Sequence, residues 1–108
     1  MGKGEVWLVN LSLGEGHEQS GQRPAILYSG PIAETVVVIP LTSNISRANL
    51  PFTELLKATS TNNLQADSVA LIFQIRCIST TRLVRKVATL SQSEVRLIDA
   101  QVRGLFGL

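Results

Sequence analysis

Most of the residues able to do chemistry lie in two short polar stretches. The first reads GHEQSGQRP over residues 16–24 and holds His17, Glu18, Gln19, Ser20 and Arg23. The second reads LTSN over residues 41–44 and holds Thr42, Ser43 and Asn44. Arg23 stands directly before Pro24, and the residue before a proline is held extended. A guanidinium on so constrained a backbone presents a planar fork of donors that matches a phosphate. On the residues alone another role stays open for it: pairing with Glu18 to brace the loop.

Other chemistries fit poorly. A Ser-His-Asp triad would have to use His17, the single histidine, and no serine sits in a nucleophile-elbow context. Cys77 could partner His17, but it falls in a strand pattern, where cysteines are mostly buried and inert, so burial is expected. One Cys and one His cannot make a Cys/His zinc site, and the carboxylates are too scattered for a divalent-cation cage. No glycine-rich motif follows a strand in phosphate-loop or dinucleotide spacing. No cofactor is expected.

Something must position these groups, and composition says what. With 44% hydrophobic and 17% charged residues the chain is too apolar to be disordered, and 108 residues suit one domain spanning 1–108. Only 5% is aromatic, so the core must come from Val, Ile and Leu, which favour strands when β-branched. A lone thiol suits a reducing cytoplasm. The N-terminus lacks the apolar stretch of a signal peptide, and the longest apolar runs, at 36–39 and 69–73, are far too short to span a membrane. A cytoplasmic location is expected. Residues 76–108 carry six bases (Arg76, Arg82, Arg85, Lys86, Arg96, Arg103) against Glu94 and Asp99, while the first 75 residues are net acidic. Such a basic end suits a polyanion or an acidic partner, or is simply a solvated surface.

The pattern predicts strands over 5–11, 25–29, 35–40, 52–55, 68–76 followed by 77–79, and 85–88. Pro24 should open the second strand, a position where its missing N–H costs nothing. Residues 35–40 are apolar enough to be buried on both faces. Residues 12–22 form a long polar loop, and long loops in compact domains are often functional. At the end the period changes: Ser91 and Glu94 fit a capping box, and Val95, Ile98, Val102, Leu105 and Phe106 share one helical face. Short strands followed by one amphipathic helix give a mainly β fold, a small barrel with a C-terminal helix packed on it.

Several blocks carry a family resemblance in order and spacing. They are GEVWLVNL (4–11), GHEQSGQRP (16–24), VIPLTSN (38–44), Asp67-Ser68, FQIR (73–76), Arg82-Leu83, Leu90-Ser91 and the terminal helix. Together they resemble the MazF/PemK/Kid toxins over nearly the whole chain. The resemblance implies an SH3-like barrel acting as a homodimer that cleaves single-stranded RNA without a metal. In that reaction a ribose 2′-hydroxyl attacks the adjacent phosphorus and leaves a 2′,3′-cyclic phosphate and a 5′-hydroxyl. It implies catalytic roles for Arg23 and Thr42, and substrate contacts from His17, Glu18, Gln19, Ser20, Ser43, Asn44, Gln74 and Arg76. It also implies a cognate antitoxin with an acidic, partly disordered tail.

This chain departs from the family in one place that matters. In the Kid branch an Arg and an Asp before the Gln-x-Arg block are proposed as acid and base, and Leu71 and Phe73 stand here instead. Ser12-Leu13 also replaces a common Asp-Pro. Two other functions share such a barrel: a gyrase poison of the CcdB type that depends on its last residues, and a nucleic-acid-binding barrel without chemistry.

Overall fold

The computed structural model describes residues 1–11 and 21–108. Among these, seven strands precede one long helix: β1 (Glu5–Asn10), β2 (Gln22–Leu27), β3 (Thr35–Thr42), β4 (Thr53–Leu56), β5 (Ser68–Leu71), β6 (Arg76–Ser79), β7 (Leu83–Thr89) and α1 (Gln92–Phe106). All the pairings between named strands are antiparallel, in the order β4-β5-β3-β2-β1-β7, and β6 also pairs with β3. β5 and β6 thus follow one another along β3, separated by a 3-10 turn at Ile72–Gln74. The sheet curls into a small SH3-like barrel but is not closed, because β4 and β7 share no ladder. The two ends are tied indirectly: Thr89 N–H donates to the Asn62 carbonyl at 3.1 Å.

β3 is buried on both faces, as its apolar run predicts. Ile39 and Leu41 join one core cluster with Val6, Ile26, Ile72, Ile98 and Val102. Val36 and Val38 join a second with Val9, Ala25, Leu27 and Ile78. Consecutive residues of one strand point to opposite faces, so a strand apolar at every position must be covered twice.

The helix begins where the capping box places it. Ser91 Oγ accepts from Glu94 N–H, and the Glu94 carboxylate accepts from Ser91 N–H at 2.8 Å. The other carboxylate oxygen accepts from Asn62 Nδ2 at 2.8 Å. Asn62 is buried, and its side chain also serves Lys57, Thr59 and Leu64. Ile98 and Val102 enter the core and Val95 and Leu105 pack on it. Phe106 does not; it is 60% exposed. Near the helix end the Phe52 ring lies on Gly104, where a Cβ would sit 3.3 Å from it.

On the same helix Asp99 accepts from the Tyr28 hydroxyl at 2.6 Å and lies 2.9 Å from Lys3 Nζ. Lys3 also sits over the Tyr28 ring. Burial, reinforced by the Asp99 carboxylate, pushes the Tyr28 phenol up to about 12. The Tyr28 hydrogen bond, with help from Lys3 and Arg103, holds Asp99 below its ordinary value.

Three expectations need correction. β2 starts at Gln22, so Pro24 is its third residue rather than its first. The sheet tolerates this because β2 meets only β1 at Pro24, and its pairing with β3 begins at Ala25. The run at 68–76 is not one strand: Leu71 leaves the β-region and the 3-10 turn intervenes. Cys77 lies on β6 as a strand residue, but exposed, since its neighbour Ile78 takes the inward position.

Candidate active site

A fork between two strands makes the site. β2 and β3 are paired from Leu27↔Val38 to Ala25↔Pro40 and then part. The start of β2 stays with β1, with Arg23 opposite Val9. The end of β3 turns to β5, with Thr42 opposite Val69. The opening between them is a cleft of about 470 Å³, with Arg23 and Thr42 on its two sides. Gln74 and Arg76 reach it from the 3-10 turn and the start of β6.

Four of the residues singled out from the sequence therefore share one cleft: Arg23, Thr42, Gln74 and Arg76. Ser43 lines an adjoining cleft of about 650 Å³, which meets the first at Arg23 and Leu41. That second cleft also carries Arg85, Lys86, Asn63 and Gln65. Asn44 lines neither. Its side chain caps the 3-10 turn Ile45–Asn49, accepting from Ser46 N–H and from Ser46 Oγ at 2.6 Å. His17, Glu18, Gln19 and Ser20, with the Ser12-Leu13 departure, lie outside the described residues. So does the alternative partner of Arg23, Glu18.

The cleft holds one cation that sequence reasoning missed. Arg47, on the exposed turn that Asn44 caps, lines it beside Arg23 and Arg76. A capping Asn followed three residues later by a base was the available signal, since a turn begun at Asn44 carries residue 47 back toward the strand end. The described lining has three guanidiniums and no carboxylate. None of the three arginines forms an ion pair with a described residue. Three cations in one concavity, none paired with a described carboxylate, raise the local concentration of anions.

Thr42 is held ready to donate. Its Oγ1 accepts from Asn44 N–H at 3.2 Å, which leaves the hydroxyl proton directed elsewhere. Leu71 and Phe73, at the positions of the Kid acid–base pair, also line the cleft. Among the described residues no group of three or more His, Cys, Asp or Glu is placed to hold a metal ion.

A family model described as PemK-like, MazF-like toxin of type II toxin-antitoxin system matches residues 2–106. The chain belongs to this family. Of the relatives of this PemK/MazF-family toxin, Endoribonuclease MazF9 of Mycobacterium tuberculosis is 38% identical over 112 residues, spanning 95% of this chain and 93% of that protein. Endoribonuclease MazF of Staphylococcus saprophyticus is 32% identical, spanning 100% and 92%. The fold is that of MazF from Deinococcus radiodurans, with a TM-score of 0.80 at 23% identity, covering 100% of this chain and 97% of that one. It is also that of a mycobacterial endoribonuclease solved with its cognate antitoxin, with a TM-score of 0.78 at 17% identity and coverage of 100% and 96%. Among the described residues no helix of this PemK/MazF-family chain is long and apolar enough to cross a membrane.

Proposed function

We infer that the protein is the toxin of a type II toxin-antitoxin system and acts as an endoribonuclease on single-stranded RNA, with residues 1–108 working as one unit in the cytoplasm. The observation that carries this is the forked cleft, which sets Arg23 across from Thr42 in a chain of the PemK/MazF family. The family match supports a nuclease over a gyrase poison, because a shared barrel alone does not distinguish functions.

The nucleophile belongs to the substrate, so the protein need only align it and stabilise charge. The 2′-oxygen bonds to the adjacent phosphorus as its proton leaves, and the bond from phosphorus to the 5′-oxygen breaks. The 5′-oxygen takes up a proton, giving a 2′,3′-cyclic phosphate and a 5′-hydroxyl. Arg23, always protonated, neutralises the equatorial oxygens and hydrogen-bonds the leaving 5′-oxygen, which takes its proton from solvent. Thr42 donates to the same phosphate. Arg76, Gln74 and Ser43 flank the strand, Asn44 acts on it by capping the turn that carries Arg47 into the cleft, and His17, Glu18, Gln19 and Ser20 contact phosphate or base. With Leu71 and Phe73 in place of a titratable pair, a Kid-type acid–base couple at these positions does not operate. An imidazole ordinarily changes charge between about pH 5 and 8, so His17 is suited to binding a base or shuttling a proton.

No step requires a metal or another cofactor. Two chains join as a homodimer, and an acidic antitoxin segment covers the cationic cleft, competing with RNA for its arginines. Incubating the purified protein with a long RNA in EDTA and mapping the ends tests the reading. Discrete cuts with 5′-hydroxyl and cyclic-phosphate ends are expected, and intact RNA overturns it.

A further inference from the structure

Phe73 stands where the Kid branch has one of its proposed acid–base residues, and its geometry is specific. The 3-10 turn buries Ile72 completely and turns Phe73 outward, leaving the ring 40% exposed. The backbone on either side is fixed, for Phe73 N–H donates to the Phe52 carbonyl at 3.2 Å and Ile75 N–H to the Ile72 carbonyl at 3.0 Å. The ring lines the same cleft as Arg23, Thr42, Gln74 and Arg76. No described cation lies over its face; the described cation–ring contact is Lys3 on Tyr28.

A phenyl ring 40% exposed on a hydrogen-bonded turn, in a cleft whose guanidiniums pair with no described carboxylate, is suited to contact with a nucleic acid. Single-stranded RNA offers unstacked bases that lie on aromatic side chains while cations follow the backbone. We propose that Phe73 is a stacking platform for a nucleobase beside the scissile phosphate. This rests on the ribonuclease reading above and adds a residue to it. An aromatic ring at this position replaces proton transfer with alignment: a base held on Phe73 fixes its ribose, and with it the 2′-hydroxyl, against the phosphate bound by Arg23. Every base has a π-face, so the contact selects for stacking strength rather than for one base identity.

The test uses the full-length protein and an RNA of its mapped cleavage sequence, with a 2′-deoxy sugar at the cut nucleotide so that binding is seen without cleavage. 2-Aminopurine is placed at one position at a time. Wild type should quench the probe at a base next to the cut. Phe73→Leu, of similar bulk without a π-face, should lose that quench and bind about 5- to 140-fold more weakly, the range expected for one stacked base. Phe73→Tyr and Phe73→Trp should keep both. Melting temperature and dimer size should be unchanged in all three variants. Equal quench and affinity in Phe73→Leu overturn the proposal. So does a shift of Phe73→Leu to monomer, which would make the ring an interface residue. If wild type neither cuts nor binds RNA, the ribonuclease reading itself fails; if wild type cuts and Phe73→Leu binds normally, the stacking role alone fails.

Discussion

Arg47 sits on an exposed 3-10 turn with no buried residue, and its replacement by alanine should leave the fold almost untouched. Its effect should appear in the salt dependence of RNA binding. Each phosphate neutralised on a single strand contributes about 0.7 to the slope of log K against log salt concentration. Three cleft arginines, one phosphate each, then give a slope of about 2, or roughly 20-fold weaker binding between about 50 and 200 mM salt. Residues in the adjoining cleft, Arg85 and Lys86, add to the total, although Lys86 is engaged by Glu5 at 3.6 Å. The decisive quantity is therefore a difference. Arg47→Ala should lower the slope by about 0.7, and Arg47→Ala with Arg76→Ala by about twice that. Fluorescence anisotropy with a labelled RNA, 2′-deoxy at the cut nucleotide, across a salt series measures it. An unchanged slope in Arg47→Ala would mean that Arg47 contacts no phosphate, and the cationic cleft would not be the path of the strand.

Other consequences follow from single contacts. Thr42→Val removes the hydroxyl that accepts from Asn44 N–H and donates to phosphate, so kcat should fall about tenfold while Thr42→Ser stays near wild type; equal loss in both would assign the effect to the methyl. Asn62→Ala strips four hydrogen bonds from a buried side chain and orphans backbone groups of residues 57, 59 and 64. It should cost about 4 kcal/mol, which urea unfolding would register as a large drop in midpoint at constant m-value; a loss under about 1 kcal/mol would show that water replaces the side chain. For Asp99, held low in the folded state, the stabilisation is present above its unfolded pKa and lost as pH falls through the lower folded value. For Tyr28, raised to about 12, it is present below the unfolded value of 10 and lost as pH rises toward 12. Tyr28 is the single tyrosine, so its absorbance titration reads this directly, and Asp99→Asn should move that titration to lower pH; an unmoved curve would leave burial as the whole cause.

Much of the frame was legible because its signals are local. The Ser91/Glu94 box and the 3.6-residue spacing define α1, and the unbroken apolar run at 36–39 makes β3 a strand covered on both sides. The misses lie where tertiary contacts override pattern. Residues 68–76 read as one strand because nothing in their composition marks a break. The 3-10 turn forms where Phe73 N–H meets the Phe52 carbonyl, a partner distant in sequence. Cys77 is exposed because that turn sets which residues of β6 face inward. Phe106 shares the apolar helical face, yet it stays 60% exposed. In the site, Arg23 and Thr42 were legible as polar residues at strand ends. That they face each other depends on where β2 and β3 stop pairing, and that register is not written in either segment. Arg47 escaped notice because it belongs to a turn that reaches the cleft only after the barrel has folded.

The central claim is that phosphodiester cleavage runs through Arg23 at the fork of β2 and β3. Its most direct test is the single-turnover rate of RNA cleavage in EDTA by Arg23→Ala, with the fold checked by circular dichroism and size by gel filtration. The account predicts a folded dimer whose cleavage rate falls by at least about a hundredfold, the scale of losing one charge-stabilising donor. A folded Arg23→Ala dimer that cuts at the wild-type rate would contradict it.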